Sequence, residues 1–197
     1  IATDGLGNFY VTGRRGVELG GPFPEQIQVS LSKFDEAGSL QWTRQFGEAA
    51  ATEALSVAAD ALGNVYVGGY ESGVNSLEAN AFVAKYDAAG EWQWKRELDS
   101  TKVDYGFDVS VDGLGNVYLA GNTGENLEGT SAGGRDAFVA KYDTTGTLQW
   151  TRQFGSPSDD YGLSVAADGL GNVFLSGATR GDLGGPNHGG IGRAACR

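Results

Sequence analysis

Few side chains in this sequence could act as an acid, a base or a nucleophile. A serine, threonine or cysteine nucleophile needs an activating base, and histidine is the usual one. The sequence has one histidine, His188, and one cysteine, Cys196. His188 lies in a Gly-Pro-Asn-His-Gly-Gly stretch that is typical of a loop. We therefore predict a protein without catalytic residues.

The metal-ligating residue types are also sparse. Zinc and copper sites need clustered His and Cys, which one residue of each type cannot supply. Calcium needs about six to eight oxygen ligands, and the recurring Asp-x-Leu-Gly-Asn motif offers two side chains. The sequence therefore predicts no metal ion and no cofactor.

Adjacent carboxylates at Asp159 and Asp160 could serve as an acid and a base, as in glycoside hydrolysis. Asp160 and its equivalent Asp104 each precede a predicted strand, where a carboxylate commonly accepts backbone hydrogen bonds. We favour this structural interpretation.

A ladder of cations recurs with the same spacing and could suggest a ligand site. Its members also fit cross-strand salt bridges and salt bridges between repeats, which is the interpretation we favour. They are Lys33, Lys85 and Lys141, with Arg44, Arg96 and Arg152 further along the chain.

The elements that carry these residues come from a repeat. The segment Asp-Gly-Leu-Gly-Asn, or a close variant, begins at Asp4, Asp60, Asp112 and Asp168, at intervals of 52 to 56 residues. Large apolar residues alternate with polar ones inside each unit, which predicts strands and not helices. Four strands per unit joined by tight hairpins are typical of a propeller blade.

The predicted hairpins depend on a few turn residues. Asp accepts hydrogen bonds from amides a few residues further on, and Gly supplies the positive φ that closes the turn. Small residues such as those of 56–59 predict the innermost strand, and Trp42, Trp94 and Trp150 in the outermost strand are predicted to pack in the core. The predicted turn residues are Asp4, Asn8, Asp60, Asn64, Asp112, Asn116, Asp168 and Asn172.

The predicted fold class is therefore all-β, a β-propeller of four-stranded antiparallel blades with about three and a half blades present. The expected units are 1–53, with an incomplete inner strand, then 54–104, 105–160, a partial unit 161–190 and a non-matching tail 191–197. We expect a truncation or a shift of reading frame near residue 190. Ring closure would then need blades from the rest of the gene product or from a second chain.

The repeated phrases GLSVAADGLGNVFLSG and DAFVAKYDTTGTLQWTRQFG resemble the bacterial SBBP repeat, and are more distantly similar to the NHL repeat. The resemblance implies a β-propeller of the kind often found in large secreted or surface-associated bacterial proteins. An extracellular or cell-envelope location is the corresponding expectation. The resemblance brings no established activity and no catalytic residues.

The net charge and the composition limit the classes of partner that the chain is expected to bind. The net charge of −11 disfavours nucleic acid and anionic membrane surfaces, which a negative field repels. No apolar stretch approaches the roughly 20 residues of a membrane span, so we predict no membrane insertion.

Antiparallel strands place alternate connections on opposite faces of a propeller. The hairpin face carries the tight turns, and the long-loop face carries the links 14–26, 70–80 and 122–135 inside units and 47–52, 99–104 and 155–160 between them. Long variable loops on a rigid scaffold commonly bind partners. We expect an acidic binding surface there, with a neutral or cationic partner, and its predicted residues are Glu71, Glu78, Asp104, Glu125, Glu128, Asp159 and Asp160.

Three functions fit these observations. The first is a non-catalytic scaffold that binds a protein or a glycan. The second is a purely structural spacer. The third is a propeller lyase or hydrolase whose active site lies in blades outside this sequence.

Overall fold

The computed structural model describes residues 1–17, 26–47, 51–72, 79–98, 102–124, 126–127 and 131–183. The regular elements in these ranges are all β-strands. They are β1 Ala2–Thr3, β2 Phe9–Val17, β3 Gln26–Phe34, β4 Leu40–Phe46, β5 Ala51–Ala59, β6 Val65–Ser72, β7 Ala79–Tyr86, β8 Trp92–Glu97, β9 Asp104–Val111, β10 Val117–Thr123, β11 Asp136–Tyr142, β12 Leu148–Phe154, β13 Asp160–Ala167 and β14 Val173–Thr179.

The strands form consecutive antiparallel meanders. We call β1 to β4 the first blade, β5 to β8 the second, β9 to β12 the third, and β13 with β14 the fourth. Each strand pairs with its sequence neighbour inside a blade, and one parallel bridge between Ile27 and Ala51 joins the first two blades. The prediction of an all-β partial propeller with four-stranded blades is confirmed.

The innermost strands β5, β9 and β13 lie side by side. The Asp108 carboxylate ties them together, because Oδ1 accepts a hydrogen bond from the Ser56 hydroxyl at 2.6 Å and Oδ2 accepts one from Ser164 at 2.8 Å. The Val165 amide also donates to Oδ2 at 2.9 Å. One side chain of the third blade therefore links three consecutive blades.

A β-bulge interrupts each of these inner strands at the same place. The extra residue is Leu55, Phe107 or Leu163, and both leucines are nearly half exposed. The partner strand passes the bulge with a glycine, and a Cβ on Gly121 would overlap the carbonyl oxygen of Tyr105. The inner strands begin at Ala51, Asp104 and Asp160, before the small residues from which the innermost strand was predicted. They also carry a large residue each, at the bulge.

The core lies between blades and not within one blade. Each buried cluster joins side chains of two consecutive blades, such as Tyr66 and Val83 of the second with Leu119 and Phe138 of the third. Equivalent clusters fill the other two junctions. Since alternate residues of a strand point to opposite sides, every middle blade packs on both neighbours.

Candidate functional site

The hairpin face is built by one repeated set of hydrogen bonds. Asp112 Oδ1 accepts from the amides of Leu114 and Asn116, both at 2.9 Å. Its Oδ2 accepts from the Asn116 side chain at 2.8 Å and from the Tyr118 hydroxyl at 3.0 Å. The same pattern recurs around Asp4 and Asp60, and around Asp168 without the tyrosine bond.

These bonds shift the acidity of both partners. Burial acts to raise the pKa of Asp112, but hydrogen bonds from Asn116, Tyr118 and Leu114 outweigh it and the pKa is lowered. Burial and the Asp112 carboxylate together raise the pKa of Tyr118 above its ordinary value. The fold thus stabilises the anionic form of Asp112. All four hydrogen bonds that its carboxylate accepts come from its own hairpin.

The second hairpins of the second and third blades each contact the outer strand of the preceding blade. The Trp94 indole donates to the Thr144 carbonyl at 3.3 Å, and Arg96 Nε donates to the Gly146 carbonyl at 2.8 Å. Lys85 Nζ donates to the same Thr144 carbonyl at 3.2 Å. The equivalent bonds run from Lys33, Trp42 and Arg44 to Ala88 and Gly90.

The cation ladder is therefore structural, but its partners differ from those expected. The lysines and arginines mainly donate to backbone carbonyls and lie over aromatic rings, as Lys141 does over Tyr118 and Arg152 over Trp150. Arg44 also forms a salt bridge, with Glu91 at 3.1 Å. Trp94 is buried as predicted for a core residue, whereas Trp42 and Trp150 are partly buried.

The predicted acidic residues of the long-loop face have different environments. Glu78, Glu125 and Glu128 lie outside the described residues. Asp104 and Asp160 are almost completely buried. Asp160 Oδ2 accepts from the Ser156 amide at 2.6 Å and its hydroxyl at 3.0 Å, as expected for a structural carboxylate at a blade junction.

The two remaining acids, Glu71 and Asp159, are at least partly accessible. Asp159 Oδ1 accepts from the Arg135 amide at 3.1 Å, and Oδ2 lies 3.6 Å from Arg180. Arg14 lies 3.6 Å from Glu53 on the same face. Asp159 and Glu53 are accordingly paired with arginines, so among the described residues these two carboxylates are not free to attract a cation.

Glu71 lines a cleft of about 690 Å³ between the first and second blades. Lys95 Nζ lies 2.5 Å from Glu71 and 2.7 Å from Glu97, so it bridges the two carboxylates. Burial acts to lower the pKa of Lys95, but its hydrogen bonds with both glutamates prevail and the pKa is raised. The cleft is lined by Gln28, Gln45, Phe46, Gly47, Glu71, Trp92, Lys95 and Glu97.

An aromatic surface forms the other side of the cleft. Trp92 is half exposed and packs edge-on against Tyr86 and Phe46, with ring centroids 5.4 Å and 6.4 Å away. Sequence reasoning missed this cleft. The available signal was that the outer strand of the second blade, WQWKREL, departs from the LQWTRQF of the other two.

The described residues offer no candidate for a metal site or for a membrane-spanning helix. Among those residues, no group of three or more His, Cys, Asp or Glu side chains is arranged to hold a metal ion. Within the same ranges, no helix has the length and apolar character of a membrane span.

The repeated blades define a β-propeller repeat protein. Residues 41–70, 93–128 and 149–184, more than half of the chain, match the SBBP beta-propeller repeat family, and the chain belongs to that family.

Two curated proteins are similar to the chain. Regulatory protein FlaEY of Caulobacter vibrioides is 28% identical over 171 residues, covering 76% of this chain and 18% of that protein. An uncharacterized WD repeat-containing protein of Acanthamoeba polyphaga mimivirus is 22% identical over 184 residues, covering 71% of this chain and 13% of its own length. The chain thus spans less than a fifth of either relative.

Proposed function

We propose that this chain is a non-catalytic part of a β-propeller scaffold that binds a protein or a glycan through its long-loop face. The observation that supports this proposal is that the blades differ from one another in only some of their surface side chains. The hairpin face repeats the same Asp-centred bonds from blade to blade. The blade-specific side chains Glu71, Lys95 and Glu97 gather in the cleft near the strand ends that lead into the long loops, and Trp92 lines the cleft at the other end of β8. A rigid scaffold with variable features on one face is the common arrangement of binding proteins.

The charge pattern of the described residues favours a neutral partner. Arg14 and Arg180 each pair with one carboxylate of this face, and Lys95 bridges Glu71 and Glu97, so most of these acids have a cationic partner and one net negative charge is left in the cleft. Binding should then depend weakly on salt, because screening acts mainly on unpaired charges.

The test compares the two faces. The full chain is immobilised, and ligands are sought on a glycan array and among proteins of the source organism. One variant carries Glu71→Gln with Asp159→Asn on the long-loop face. The matched control carries Glu36→Gln with Glu91→Gln, two exposed acids of the hairpin face.

We expect the long-loop variant to lose binding and the control to keep it, at equal thermal stability. Loss of binding in the control alone would contradict the proposed face.

A further inference from the structure

The cleft between the first and second blades carries residues that break the repeat. Trp92, Lys95 and Glu97 line it, and they replace the leucine, threonine and glutamine found at the same positions of β4 and β12. The neighbouring Gln93, Trp94 and Arg96 are unchanged in all three outer strands, being Gln41, Trp42 and Arg44 in β4 and Gln149, Trp150 and Arg152 in β12. All three departures within β8 therefore lie in one place.

The aromatic part of the cleft suits a flat, weakly polar ligand surface. Trp92 leaves half of its surface accessible while Phe46 and Tyr86 hold its ring from the side. The face of an indole carries negative partial charge and attracts C–H groups, which bear partial positive charge. The C–H face of a sugar ring presents such groups.

The polar part of the cleft suits a ligand with many hydroxyls and no charge. Lys95 already bridges Glu71 and Glu97, so a cationic ligand would compete with it, and an anionic ligand would meet two carboxylates. Among the described residues, the side chains of Gln28 and Gln45 make no hydrogen bond. Their amides can both donate to and accept from hydroxyl groups.

We propose that this cleft binds a neutral sugar residue of a glycan, packed on Trp92 and hydrogen-bonded by Glu97, Gln28 and Gln45. The volume of about 690 Å³ lies within the range of roughly 300 to 1,000 Å³ that is typical of small-molecule sites. This inference rests on the proposed function and specifies its ligand as a glycan.

The experiment titrates the full chain with cellohexaose, maltohexaose, xylohexaose and chitohexaose, followed by calorimetry and tryptophan fluorescence. Two variants restore the residues of the other blades, Trp92→Leu and Glu97→Gln, so they should fold. We expect at least one oligosaccharide to bind, Trp92→Leu to weaken it about tenfold or more, and Glu97→Gln to weaken it less. The matched control, Leu148→Ala at the equivalent exposed position of the third blade, should bind like the wild type.

Three results would overturn the glycan site. The first is that none of the four oligosaccharides binds at millimolar concentration. The second is that Trp92→Leu binds an oligosaccharide as tightly as the wild type does. The third is that tetralysine binds in a salt-sensitive way and that Glu97→Gln abolishes this binding. The last result would indicate a cationic protein partner at the same cleft. Each of them leaves the long-loop face open as a protein-binding surface, whereas loss of binding in the hairpin-face control would reject the proposed function itself.

Discussion

At the scale of single residues, the aspartate that opens each hairpin has the largest structural role. Asp112 accepts four hydrogen bonds, two from backbone amides and two from side chains. It is almost fully buried, so its carboxylate has little access to water. In Asp112→Asn an NH₂ group would replace one of the carboxylate oxygens. If it replaced Oδ2, this new donor would face two other donors, the Asn116 side-chain amide and the Tyr118 hydroxyl, and none of the three would have an acceptor.

We predict that Asp112→Asn lowers the free energy of unfolding by about 1 to 3 kcal/mol, the usual cost of leaving buried polar groups unpaired. The measurement is the urea midpoint followed by tryptophan fluorescence. Tyr118→Phe is the matched control, because it removes one bond and the fourth blade already has Phe174 at that position. We expect it to cost less, and an unchanged midpoint for Asp112→Asn would contradict the role assigned to the carboxylate.

The same carboxylate predicts a dependence on pH. The pKa of Asp112 is lower in the folded chain than the value of about 3.9 for an unfolded one. Its stabilising contribution is therefore present above about pH 4 and is lost as the pH falls through the folded pKa. The pKa values of Asp4 and Asp168 are lowered as well, so several hairpins should weaken together in acid.

The measurement is the urea midpoint of the wild type and Asp112→Asn at neutral pH and below pH 4. The variant lacks the titrating group, so it should lose less stability on acidification than the wild type. Equal losses in the two proteins would count against the hydrogen-bonded anion.

At the scale of elements, consecutive blades are joined by a tryptophan that lies on a glycine. Gly146 is buried, has a φ of 80°, and sits where a Cβ would come within 2.8 Å of the Trp94 ring. Gly38 has a φ of 79° in the equivalent turn of the first blade, and a Cβ there would meet nothing within 4 Å. The two glycines thus share a backbone conformation, but only Gly146 lies against a tryptophan ring.

We predict that Gly38→Ala costs about 1 kcal/mol, from the strain of a positive φ alone, and that Gly146→Ala costs clearly more. The additional cost arises because the new methyl group pushes Trp94 away from the hairpin that accepts its hydrogen bond. Thermal unfolding of both variants measures the difference. Equal melting temperatures would mean that the tryptophan contact does not join the blades.

The elements also show what the sequence could predict. The hairpins were predictable because the residues that form each turn are close in sequence. Asp112 supplies the hydrogen-bond acceptor, and Gly115, three residues later, supplies the positive φ. The bulge at Phe107 was not, because it follows from the fit between two strands. The cleft was not predictable either, because its lining residues, such as Phe46 and Glu97, are distant in sequence. The sequence signal for it is the difference between β8 and the outer strands of the other blades at equivalent positions.

At the scale of the whole molecule, each blade depends on the next. Tyr10, Tyr66 and Tyr118 are fully buried, and each belongs to a cluster with the blade that follows. Phe174 holds the same position in the fourth blade and is 43% exposed. A following blade would cover it in the same way, which is why ring closure by further blades remains our prediction for the complete propeller.

We propose that partners bind the long-loop face, because the carboxylates of the hairpin face already accept hydrogen bonds within their own turns. Amide hydrogen exchange of the full chain, with and without its captured ligand, tests it most directly. We predict slower exchange on binding in segments 69–72, 95–98 and 155–160, and no change in the turns 35–38, 87–90 and 143–146. Protection confined to those turns would contradict the claim.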